Sequence, residues 1–140
     1  MVNSKTGKTA AAKSNKEVVA NPSWRTAKLD WLFCLLMVGA AAGHFFGTLT
    51  LVEHGTTLFV WSLAGVLAAA LLVALNVMRI NRSDDRTLAW VCLVGCLCWV
   101  VIALMFGSSV GNVMDPRALY HALAALGLAV LSGRALLRMR

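Results

Sequence analysis

Four apolar stretches, each about 17 to 24 residues long, take up most of this chain, and roughly 20 residues of helix are needed to cross a hydrocarbon core. They run over residues 29–52, 57–78, 87–106 and 117–133. Hydrocarbon offers no water to a backbone, so a spanning segment must satisfy its amides within a helix or a closed barrel. The apolar runs lack the period-two alternation of barrel strands, which leaves helices. The expected fold class is an all-α integral membrane protein with four transmembrane helices. Composition agrees, with 59% hydrophobic and only 14% charged residues, where soluble domains carry about 25% charged. A water-soluble fold of 140 residues has too little interior to hide that much apolar surface.

The breaks between stretches carry helix-end chemistry. Asp115 followed by Pro116 reads as an N-cap with proline in the first turn. Ser83-Asp84-Asp85 places a cap and two carboxylates at the positive end of the third helix dipole, and Gly55-Thr56 separates the first two spans in the same manner. A connection of about four residues forces spans one and two into an antiparallel hairpin. The longer stretch over 107–116 makes a second hairpin.

Basic residues set the expected orientation. Lys5, Lys8, Lys13, Lys16, Arg25 and Lys28 precede the first span, Arg79, Arg82 and Arg86 join the second to the third, and Arg134, Arg138 and Arg140 follow the fourth. Only Arg117 falls on the opposite side. The positive-inside rule then puts both termini in the cytoplasm and the protein in a plasma (inner) membrane, as a multi-pass chain. Residues 1–28 are expected to form a disordered basic arm against anionic lipid, each basic residue near the surface adding about 1 kcal/mol. Residues 134–140 form a short basic tail. The net charge of +7 is thus a topology signal. Nucleic acid is not an expected partner, because no basic face with interleaved aromatics lies outside the lipid. Trp31 and Trp90 fall at the inner interface and Trp61 and Tyr120 at the outer one, while Trp99 lies deeper and is expected to pack.

Three groups of residues are candidates for function. Gly39, Gly43 and Gly47 form a GxxxGxxxG ladder along the first span, and such a bared stripe lets another helix approach to backbone contact. The approaching helix is either the chain's own second or fourth span, with Ala122, Ala125, Ala129 and Gly133 as counterpart in the fourth, or another polypeptide. His44 and His121 lie in the outer half of the first and fourth spans at levels differing by about 4 or 5 Å. Two imidazoles on different helices could ligate a haem b iron or bind a quinone headgroup; the plainer reading is that each donates a hydrogen bond to a carbonyl on a neighbouring helix. Cys34, Cys92, Cys96 and Cys98 include no C-x-x-C pair. Cys92 and Cys96 share a helical face and Cys98 is turned about 200° from Cys96, so packing as small hydrophobes is expected.

With Asp30 counted in the basic flank, no carboxylate falls inside a span, whereas ion-coupled carriers need one. The loops are too short for a soluble catalytic domain, and no nucleophile sits beside a base. The leading expectation is a non-catalytic small membrane subunit that packs against other membrane chains in a larger complex. The alternatives are a haem- or quinone-binding redox protein using His44 and His121, and a small oligomeric carrier or channel.

Overall fold

Each apolar stretch is one continuous helix in the computed structural model, which describes residues 23–139. Helix α1 is Ser23–Leu51, α2 Thr57–Asn81, α3 Arg86–Ser109 and α4 Pro116–Arg138. All four are long and apolar enough to cross a membrane, and the described residues include no strand. The caps fall where the sequence places them. The Thr56 hydroxyl accepts from the amide of Phe59 at 3.2 Å, and an Asp85 carboxylate oxygen accepts from that of Leu88 at 2.9 Å. Asp115 accepts from the amide of Arg117 at 2.8 Å, with Pro116 opening the helix. Gly55 reverses the chain before Thr56 at φ +80, a left-handed conformation that favours glycine.

The helices outrun the apolar stretches at the basic end. Helix α1 already includes residues 23–28, α2 continues past Met78 to Asn81, and α4 continues to Arg138. Ala, Leu, Lys and Arg are good helix formers, and long basic side chains reach back to the interface from a continuing helix. The expected arm and tail boundaries at 28 and 134 therefore fall inside helices. Residues 1–22 of that arm lie outside the described residues.

Helices α1 and α2 form one hairpin and α3 and α4 the other. The hairpins meet through α1 against α4 and α2 against α3, closing a ring of four. The α3–α4 contact is the most extensive. Helix α4 is the least apolar of the four and the most buried, whereas α2 keeps most of its surface outward. The core draws Cys34, Met37 and Ala41 from α1, Ala69 and Leu72 from α2, Cys96 from α3, and Ala124, Leu128 and Ala129 from α4, with Phe33 and Trp99 packed against it.

Close helix approach occurs at glycines outside the ladder. A Cβ added to Gly127 of α4 would fall inside the Phe33 ring of α1. One on Gly95 would lie 3.0 Å from Leu72 Cδ1, and one on Gly107 3.1 Å from Ala118 Cβ and from the carbonyls of Asn112 and Val113. These three glycines mark the α1–α4, α2–α3 and α3–α4 crossings. Gly127→Ala is expected to lower stability by about 1–3 kcal/mol through overpacking, even though alanine is the better helix former by about 1 kcal/mol. Gly43→Ala, whose new methyl group meets nothing within 4 Å, is expected to unfold at the same or a higher temperature. Thermal unfolding of both variants in mild detergent checks the contrast, and equal behaviour would mean that Phe33 does not hold α4.

Candidate functional site

The described residues hold two polar clusters in the bundle, one toward each end. At the basic end, the Arg79 guanidinium of α2 donates to the Asp30 carboxylate of α1, and both side chains are buried. Arg79 Nε also donates to Asn76 Oδ1 at 3.4 Å. Asn76, fully buried, donates from Nδ2 to the Leu72 carbonyl at 2.9 Å and to Cys96 Sγ of α3 at 3.4 Å. The seam therefore ties α1, α2 and α3 together, and no buried side-chain nitrogen or oxygen among the described residues lacks a partner.

This seam corrects the reading of Asp30 and Arg79 as flanking charges. Asp30 lies about two turns inside α1, so a carboxylate does sit within a membrane helix. Its charge and that of Arg79 cancel, leaving the asymmetry of the remaining basic residues intact. A sequence signal was present: Asn76 and Arg79, three residues apart, share one helical face, and an intramembrane charge requires a partner. What hid it was the nearness of both ions to the basic flanks.

At the other end, the structure brings His44 and His121 together, with ring centroids 6.1 Å apart and planes at 88°. Trp99 of α3 completes the group, donating from its indole nitrogen to His121 Nδ1 at 3.4 Å. An acceptor at Nδ1 assigns the proton of neutral His121 to Nε2. His44 turns Nε2 toward α2, where a Cβ on Gly65 would lie 3.6 Å away. Axial haem ligands must aim one nitrogen each at a shared iron. Of these nitrogens, His121 Nδ1 faces the Trp99 indole and His44 Nε2 faces Gly65. His54 lies outside the group, in the α1–α2 turn against the Phe59 ring at 4.7 Å.

The far end of the glycine ladder, at Gly43 and Gly47, faces away from the bundle. Gly39 and Gly43 are exposed, and nothing lies within 4 Å of a Cβ at Gly43 or Gly47. Only Gly39 has a neighbour, the Tyr120 hydroxyl of α4, 3.1 Å from such a Cβ. Of the expected counterpart, Ala122, Ala125 and Ala129 are buried, but not against the ladder's outer positions. Cys34, Cys92 and Cys96 are buried, whereas Cys98 faces outward, in line with its 200° turn. Outside the membrane helices, hydrogen bonds from Arg117 hold the Asp115 carboxyl down to about 2, so the α4 cap stays charged at physiological pH.

Fold and site together define a small multi-pass membrane protein whose buried polar groups are engaged with one another. No protein-family model, no curated protein and no solved structure matches the chain.

Removing one member of a buried ion pair strands the other charge. Asp30→Leu or Arg79→Met alone is therefore expected to cost about 3–5 kcal/mol, while the double variant recovers most of the loss. Unfolding of the three variants in mild detergent measures it. Additive losses would show that the two charges are not coupled.

Proposed function

We propose that this chain is a non-catalytic subunit that packs against other membrane chains in a larger complex of a bacterial inner membrane, with both termini cytoplasmic. The observation that carries this reading is the outward glycine face of α1. Lipid tails are as apolar as leucine, so helices in a bilayer associate through close packing and polar bonds. A stripe where Gly43 and Gly47 leave open space beside the backbone suits a helix from another chain. Exposed Leu35 and Phe46 flank it.

The interior argues for the same reading over a carrier or a redox protein. Between Asp30 and His44, the buried positions of α1 are Cys34, Met37, Ala40 and Ala41, all apolar. They separate the two polar clusters, so no chain of polar groups links the two ends along α1. Asp30 is committed to Arg79. The histidine pair, with His121 bonded to Trp99 and His44 edge-on against it, serves here as a packing and hydrogen-bonding element.

Purification from native membranes in mild detergent, followed by identification of every chain retained, tests the assignment. Gly43→Leu is expected to abolish retention of the partner while leaving the unfolding temperature of the isolated chain unchanged. Retention by the variant, or recovery of copies of this chain alone, would overturn the reading, the latter in favour of an oligomeric carrier. For topology, an impermeant thiol reagent on intact cells is expected to label a cysteine introduced at Asn112 and to spare one at Ser83. The reverse pattern would invert the orientation.

A further inference from the structure

A hollow of about 390 Å³ opens on the outside of the bundle between the start of α3 and the end of α4. Arg86, Trp90 and Leu93 of α3 line it opposite Val130, Gly133, Arg134 and Leu137 of α4, and its wall is mostly apolar. Helical spacing explains the arrangement. Trp90 lies one turn below Arg86 on the same face of α3, and Val130 one turn below Arg134 on α4. Two basic side chains and a tryptophan thus border an apolar hollow near the basic end of the bundle, where a leaflet passes from headgroup to acyl chain.

Both arginines are exposed, and neither forms an ion pair among the described residues. The adjacent carboxylates are engaged elsewhere: Asp85 caps α3, and Asp84 accepts from the Ser83 hydroxyl at 2.8 Å. Trp90 is half exposed, and open space surrounds Gly133 where a side chain would begin. We propose that this hollow seats one anionic glycerophospholipid, its phosphate at Arg86 and Arg134, its glycerol beside Trp90 and the upper part of one acyl chain over Leu93 and Val130. Charge complementarity selects the occupant. A zwitterionic lipid brings its own cation to the phosphate, and a partner helix would bury two unpaired arginines at a cost.

The full-length protein, equilibrated in mild detergent with defined lipids and released for native mass spectrometry, tests the site. One dioleoyl phosphatidylglycerol is expected to remain bound where dioleoyl phosphatidylcholine does not. Arg86→Gln and Arg134→Gln should each weaken retention about fivefold, and the pair about 30-fold, from the roughly 1 kcal/mol that each basic residue at a membrane surface contributes. Gly133→Leu keeps the charge but fills the hollow, and should weaken retention as well. The proposal is overturned if the double arginine variant binds like the original chain, if phosphatidylcholine is held equally, or if millimolar inorganic phosphate displaces the lipid, the mark of a free-anion site. Should the double variant fail to fold, Gly133→Leu decides alone, with undiminished retention counting against the site.

Discussion

Helices already in hydrocarbon gain nothing from hiding apolar side chains from water, so whatever holds this bundle together must come from close contact or from polar groups that need one another. Both devices are present. The Phe33 ring lies against the bare backbone at Gly127, bringing α1 and α4 as near as a side chain allows. The Asp30–Arg79 pair joins α1 to α2, and Asn76 extends the bond to Cys96 of α3. Each ion is costly in this setting without the other, so their mutual attraction also specifies which faces of the helices turn inward.

Local features were legible in the sequence because their physics is local. Asp85, Asp115 and Thr56 cap the helices that their positions mark, since a cap needs only the next turn of its own backbone. The pairing of His44 with His121 was legible for a similar reason: a constant rise per residue converts sequence position into depth. The direction of the glycine ladder was not. Spacing of four says that a stripe is bare but not which way it points, and that is settled by Met37, Cys34 and Ala41 on the opposite side of α1. The ion pair spans 49 residues of sequence, and no local rule connects its members. Trp99 as partner of His121 was likewise out of reach, because it depends on the rotation of α3 about its own axis.

The polar groups of the interior are engaged with one another. Arg79 donates to Asp30 and Asn76, and Trp99 donates to His121. The exception is His44, which meets His121 edge-on at 6.1 Å and turns Nε2 toward Gly65. The features that remain open lie on the outside of the bundle: the stripe on α1 and the hollow between α3 and α4. They use different helices, so the two surfaces do not overlap.

Helix α4 combines the weakest apolar character with the deepest burial, and α2 pairs strong apolar character with the least burial. The two properties trade off, since a helix sheltered by its neighbours has less need to please the lipid. This bears on biogenesis. Helices α2 and α3 carry the apolar character of segments that partition into a bilayer singly, whereas α4, rich in alanine with Ser132 and Gly127 along its length, is less apolar and lies mostly against its neighbours. Helix α4, made after α1, α2 and α3, thus completes a groove between them, and the short, capped α3–α4 connection delivers it there.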